Sequence, residues 1–221
     1  MKTGKIVNLM RYMAGIPKSV YVNFRVLPFS QAVLLPIIVS RKTKLQSLSG
    51  RVHLSMVKTG MIRIGFGNIE MLDYRYQRTI LFLEGTITFQ GKCKIGMGSR
   101  LIISGALELG KNFLISGDGT IICNRRIVIG DNSQMAWGSV IMDTDHHRIY
   151  DANGMCINED REVVVGDNVW IGARSFILKG SRINEGCIIG ANTTVTKSYD
   201  EKKAVIAGNP PRVVRRDVSW E

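Results

Sequence analysis

Stepping by six from Val165 gives Val165, Ile171, Ile177, Ile183, Ile189 and Val195, an unbroken aliphatic series. Four residues after each stands a slim one, namely Val169, Ser175, Ser181, Cys187 and Thr193. Three residues after come Asn168, Arg174, Gly180, Gly186 and Asn192, mostly types that tolerate a left-handed backbone at a turn. Glycine follows the aliphatic residue directly at Gly166, Gly172 and Gly190. A helix needs apolar recurrence near 3.6 and an ordinary antiparallel strand needs alternation at two, so neither explains the pattern. The period predicts a coil of three short straight sides, each six residues long, stacked so that every coil pairs its backbone with the next. The aliphatic residue fills the triangular interior, the slim residue clears the corner, and Asn or Gly turns the chain.

The same phase holds upstream at Ile129, Met135 and Ile141, with Asn132 and Gly138 at the turn position. Leu109, Ile115, Ile121 and Ile127 form an earlier set, and Leu83, Phe89, Ile95, Leu101 and Leu107 another, each displaced by two residues. The slips predict two-residue bulges at corners. Prolines stand at 17, 28, 36, 210 and 211, which leaves residues 50 to 207 free of the residue that breaks ladder hydrogen bonds.

By these residues the chain resembles the left-handed parallel β-helix, or hexapeptide-repeat, acyltransferases over residues 50 to 216. The left hand comes from the resemblance, since the period does not set it and it runs against the usual right-handed crossover. The expected fold is all-β: a left-handed parallel β-helix with a non-repeating basic cap over residues 1–50, an acyltransferase domain over 51–216 carrying one external loop at 148–162, and a tail at 217–221. In the cap, Ile6, Leu9, Met10 and Met13 lie at helical spacing opposite Lys2, Lys5 and Arg11. They predict a short amphipathic helix ending near Gly15, Ile16 and Pro17. Covering the open apolar end of the coil is favoured as its role over contact with a membrane.

Charge is unevenly spread. The first acid among 221 residues is Glu70, and eleven of the 30 Lys and Arg precede it, leaving 19 basic against 18 acidic residues for the rest of the chain. Such a segment suits an anionic partner, whether a membrane surface, a charged glycan or nucleic acid, or is simply a solvated basic face. Nucleic acid is not the expected partner. The most apolar run, Ala32 to Val39, is too short to span a bilayer and contains Pro36. Cys93, Cys123, Cys156 and Cys187 stand about thirty or more residues apart with no C-x-x-C, which points to a reducing cytosol. The expected location is cytoplasmic, at most peripheral to the inner face of the membrane.

The coil is interrupted in "IMDTDHHRIYDANG". Counting on from Ile141, the next inward positions are His147, Asn153 and Glu159, before Val165 resumes the pattern. Polar residues do not line a dry aliphatic interior without partners, so the chain is expected to leave the coil here. Two of the three histidines stand at the point of departure. An imidazole, with an ordinary pKa of about 6.5, can take a proton from a hydroxyl or amine, especially if a carboxylate such as Asp143 or Asp145 orients it. The alternative is a solvated surface histidine beside acids.

"SVIMDTDHHRIYD" resembles the segment of sugar and antibiotic O-acetyltransferases of this family in which a polar stretch precedes the catalytic histidine. In many of them proline and an aliphatic residue follow it. Here Arg148 and Ile149 follow, which implies His147 as base, with Asp145 assisting and His146 as the alternative. "NVWIGARSFILKGSRI", "IGANTTVTKSY" and "AGNPPRVVRR" are similar to maltose- and galactoside-type members. The likeness implies that Trp170, Ala173, Ala191, Thr196, Lys197, Arg212 and Arg215 lie along a coenzyme A groove between subunits of a C3 homotrimer. Ser116, Asp118 and Asn124 fall where relatives contact the sugar, although "SGDGTIICNRR" departs from their pattern.

The resulting expectation is an acetyl-CoA-dependent O-acetyltransferase acting on a sugar or surface-polysaccharide precursor, with no metal. The polysaccharide part rests on the likeness of "PKSVYVNFRVLPFSQAVLLPIIVSRKTKL" to the heads of capsule and O-antigen acetyltransferases. Alternatives are an antibiotic or amino-sugar acceptor, a zinc-dependent carbonic-anhydrase-like β-helix, and a non-catalytic basic binding protein. The zinc alternative needs three histidines from neighbouring subunits, and besides the adjacent pair only His53 exists, far along the axis.

Overall fold

The computed structural model describes residues 2–67, 69–73 and 75–221, with residues 2–9 as helical backbone alone. The chain is a left-handed parallel β-helix. Each coil contributes one short strand to each of three parallel faces, so residues far apart in sequence become neighbours along the axis. On the second face, for example, Leu81, Leu101, Ile121, Ile141, Ile177 and Val195 lie in one register line.

The six-residue series fills the interior as expected. Val165, Ile171, Ile177, Ile183, Ile189 and Val195 are buried, and so are the upstream series and the slim residues Val169, Ser175, Ser181, Cys187 and Thr193. The turn positions have positive φ, from 53° at Asn168 to 78° at Gly180, and Arg174 adopts 56° although it is neither Asn nor Gly. The glycine after the inward residue has a packing reason. A Cβ on Gly172 would lie 2.6 Å from the carbonyl oxygen of Ile189 in the next coil.

The two-residue slips fall at one corner, between the second and third faces. Before the loop, Ile121 and Ile129 are eight residues apart, whereas their register partners Ile177 and Ile183 are six apart. The extra pair does not bulge. It lengthens the strands on both sides, Thr120–Cys123 and Arg126–Ile129, and turns Cys123 and Ile127 into further core residues.

Coiled strands begin at Ile37–Val39, ahead of the position near residue 50 that the period suggested. Ile37 pairs with Ile62 and Ile62 with Cys93, spacings of 25 and then 31 residues, so long corners hide the repeat there. The first helix, α1 (Lys2–Val26), also differs from expectation, for it runs through Pro17 instead of ending there. Its second half is held from outside. Asn23 Nδ2 donates to the Ile37 carbonyl at 2.6 Å while Asn23 Oδ1 accepts the Ile37 N–H at 3.1 Å, and Ser19 Oγ accepts the Val39 N–H at 2.8 Å. Lys18 Nζ donates to the carbonyls of Arg41 and Thr43. These polar side chains substitute for a missing neighbouring strand at the free edge of Ile37–Val39. A short α2 (Phe29–Ala32) follows, and Val22, Val26, Leu27 and Ala32 join the core.

The side chains of Lys2, Lys5, Ile6 and Leu9, which the amphipathic expectation invoked, lie outside the described residues, while Met10 and Met13 are exposed. No helix among the described residues is long and apolar enough to cross a membrane. Replacing Asn23 with Leu would leave the N–H and C=O of Ile37 buried without partners. Denaturant unfolding is expected to show a loss of about 2–4 kcal/mol at unchanged slope.

Candidate active site

The site is built where the second face ends. After the strand Val140–Met142 the chain leaves the coil, and it rejoins at Val163–Val165. The exit is fixed by Asp143. Its buried carboxylate accepts three backbone N–H groups of the preceding coil's corner, from Asn124 at 2.8 Å, Arg125 at 2.9 Å and Arg126 at 2.7 Å. Asp143 therefore does not reach outward to orient an imidazole. It ties the loop to the scaffold. Thr144, also buried, accepts from Asn124 Nδ2 at 3.2 Å and from the His146 N–H at 3.0 Å. The chain then turns through His146 in the left-handed region, φ 62°.

His146 and His147 are both exposed, and the described residues offer neither imidazole a hydrogen-bond partner. Asp145, expected to assist His147, instead binds Lys179 Nζ at 2.5 Å and Asn158 Nδ2 at 2.9 Å. Those two hydrogen bonds, the lysine's first, hold its carboxyl below the usual carboxylate range.

Asn158 is the hub of the loop. Its Oδ1 accepts the Ile149 N–H at 2.6 Å, its Nδ2 also donates to the His147 carbonyl at 2.8 Å, and its own carbonyl accepts from Lys179 Nζ at 2.6 Å. Asn158 and Lys179 thus set the backbone of the candidate base, and sequence reasoning missed both. Asn158 sits in the segment without periodicity, and Lys179 lies off the inward register, so neither carried a signal.

Because the folded-state pKa of Asp145 is lowered, its contribution is complete above the ordinary carboxylate value of about 3.9 and is lost as pH falls through the lower folded value. Limited proteolysis of the 148–162 loop should therefore accelerate at acid pH in the wild type. In Asp145→Asn it should already be fast at neutral pH and change less across that window.

The remaining expected site residues fall into groups on different parts of the prism. Asn124 stands at the histidine corner. Thr196 and Lys197 follow Thr194–Val195 on the second face, one coil beyond the Lys179 position, and are exposed. Ala173 and Ala191 lie instead at the corner between the first and second faces, where the Ala173 carbonyl accepts the Asn192 N–H at 2.9 Å. Ser116 and Asp118 share that first corner, and Asp118 is paired with Arg100 at 3.1 Å.

Trp170 is on the first face, its ring 6.2 Å from that of Trp220, whose Nε1 donates to the Asn168 carbonyl at 2.7 Å. The C-terminal residues thus fold back over the coil rather than trailing free. Arg212 and Arg215 are exposed on a strand antiparallel to Val205–Ala207. Among the described residues Lys197, Arg212 and Arg215 make no ion pair, although Lys197 Nζ lies 5.4 Å from the centre of the Tyr199 ring. One chain does not bring His147 to Ala173, Ala191, Ser116 or Asp118, because a full face separates the two corners.

Among the described residues no group of three or more His, Cys, Asp or Glu is placed to hold a metal, and His53 lies on Arg51–Leu54 of the third face. The four cysteines are free, and burial pushes the Cys93 and Cys123 thiols well up, so neither is a nucleophile.

Residues 162–197 match the family described as bacterial transferase hexapeptide (six repeats). The chain is 33% identical to galactoside O-acetyltransferase of Escherichia coli (strain K12) over 49% of its own length and 53% of the relative's. It is 37% identical to polysialic acid O-acetyltransferase of Neisseria meningitidis over 50% of its own length and 52% of the relative's. It thus spans about half the length of these curated relatives. Among solved structures, the polySia-specific acetyltransferase NeuO superposes with a TM-score of 0.56 at 20% identity, covering 84% of this chain and 81% of the other. At that identity the likeness concerns the fold.

Proposed function

We propose that this chain, a left-handed β-helix of the hexapeptide-repeat type, transfers an acetyl group from acetyl-CoA to a hydroxyl of a sugar or surface-polysaccharide precursor. The observation that carries the proposal is an exposed His147, its imidazole without a partner among the described residues, whose carbonyl is held by Asn158, itself held by Lys179, on a segment whose exit Asp143 ties to the preceding coil. A base that must take a proton from an incoming group needs a rigid mount and a free imidazole. The names of the relatives supply the acceptor class.

His147 takes the acceptor's proton as its oxygen attacks the thioester carbonyl. The new C–O bond forms, the C–S bond breaks, and the imidazolium returns the proton to the departing thiolate. A backbone N–H at the coil corner steadies the oxyanion. No acyl-enzyme is required, because among the described residues no cysteine or serine is paired with the histidine. Lys197, Arg212 and Arg215 suit the nucleotide phosphates, and the small Ala173 and Ala191 leave their corner open to the pantetheine arm.

The separation of His147 from that corner supports a site assembled between neighbouring subunits of a C3 homotrimer, each subunit lending one corner. Incubating the protein with acetyl-CoA and candidate saccharides tests the proposal. Acceptor-dependent release of free thiol and an acetylated sugar by mass spectrometry are expected. Thiol release that is indifferent to every saccharide, or none at all, would remove the assignment. An acetylated antibiotic or amino sugar would move it to another acceptor.

A further inference from the structure

The first helix carries more apolar surface than its packing uses. Its protein-facing side carries Val22 and Val26, which join the core, and Lys18, Ser19 and Asn23, which serve the backbone at and just after the first coiled strand. Its outward side carries Met10, Met13, Ile16, Val20, Tyr21 and Phe24, and α2 with the turn after it continues the surface through Phe29, Val33 and Leu34. Phe29 is 74% exposed and Met10 66%, and the Phe24 and Phe29 rings meet edge to face at 5.7 Å. A helix that only capped the coil would need no second apolar row on its outer side. Contiguous exposed apolar surface of this kind marks a contact with something else.

The charge around it limits what that is. No acid occurs before Glu70, so the exposed Arg25 near the end of α1 and the exposed Arg41 and Lys44 just after the first coiled strand carry positive charge that no acid of this segment offsets. Beside the helix, Lys58, Arg63, Lys92 and Lys94 line an open cleft that contains no acid, and Arg63 links it to α1, with its Nη1 3.4 Å from the Tyr12 hydroxyl. The same face of a second copy would bring like charge against like charge. A bilayer carrying anionic headgroups matches both features, since apolar side chains enter the acyl boundary while the cations meet phosphates.

We propose that the outward face of α1 and α2 is a peripheral docking surface for an anionic lipid bilayer, and that the helix caps the coil with one side while inserting with the opposite, exposed apolar side. This goes beyond the acetyl-transfer assignment and does not depend on it, because the test needs no turnover.

The test is sedimentation of the full chain with phosphatidylcholine vesicles with and without phosphatidylglycerol, alongside light scattering of the protein alone. Binding should require the anionic lipid, weaken as salt rises, and fall by about tenfold or more in the combined variant Met13→Ser, Phe24→Ser, Phe29→Ser, with molar mass unchanged. All three side chains are exposed. Phe29→Ser alone should weaken binding in the same direction should the combined variant misfold. Absence of vesicle binding, equal binding by the variants, or a fall in oligomer mass on substitution would overturn the proposal. The last would make the face a subunit interface. Retention on duplex DNA without retention on vesicles would likewise overturn it.

Discussion

Replacing His147 with alanine is expected to lower acetyl transfer by about 10²–10⁴-fold, the range that a positioned general base contributes, while the unfolding midpoint stays where it was. Both parts follow from geometry. The side chain is exposed and contacts no described partner, so its removal opens no cavity and strands no buried group. In the proposed role it is the acceptor for the incoming proton, so kcat should fall far more than KM rises. His146 provides the internal control. It sits at φ 62°, a conformation asparagine accepts, so His146→Asn should leave the turn intact and cost no more than about one order of magnitude in rate. Unchanged turnover in His147→Ala would remove that residue from its role. Abolition in His146→Asn alone would transfer the role to its neighbour.

Asp143→Ala should have the largest effect on stability, about 3–5 kcal/mol by denaturant unfolding, because a buried carboxylate that accepts three N–H groups leaves all three unpaired when it is removed. Asp143→Asn should cost less but not nothing, since one of its two amide positions presents hydrogens to donors. Both variants should lower kcat as well, for the strand exit that aims His147 would no longer be tied to the corner at Asn124, Arg125 and Arg126. An Asp143→Ala protein as stable as the wild type would mean the loop is held by other contacts, and the anchoring role assigned to this residue would be withdrawn.

How legible this was in the sequence depends on the physical constraint behind each feature. The interior was legible because a prism with six-residue sides admits one large side chain per side, and Val165 to Val195 satisfy that at every step. The turns were legible because a left-handed corner restricts residue type, although Arg174 shows that a tight stack can impose the conformation on a residue that does not favour it. The start of the coil was not legible. Long corners between Ile37, Ile62 and Cys93 break the count, and the helix that runs through Pro17 is sustained by tertiary contacts of Ser19 and Asn23 rather than by propensity.

At the candidate site, the departure of the chain was visible in the polar residues at inward positions, but the partners were not. Asp145 stood beside the histidines in sequence and yet bonds Lys179, which is 34 residues away and adjacent only because coils stack. Asp143 looked like an outward acid and is a buried anchor. Contacts across coils depend on register, and an interrupted period withholds register at the very place where function gathers.

The central claim is that neighbouring protomers share a cleft into which the prism of one aims His147 while the other lends the Ala173 and Ala191 corner. Activity of mixed trimers tests it most directly. His147→Ala lacks the base, and Ala191→Trp blocks the groove, so each alone should be inactive. Co-assembled in equal amounts, about three quarters of trimers are mixed and each holds one intact site in three, which restores about a quarter of wild-type activity. A mixture as inactive as its parents, with mixed trimers shown to have formed, would contradict the shared cleft and return the whole site to a single chain.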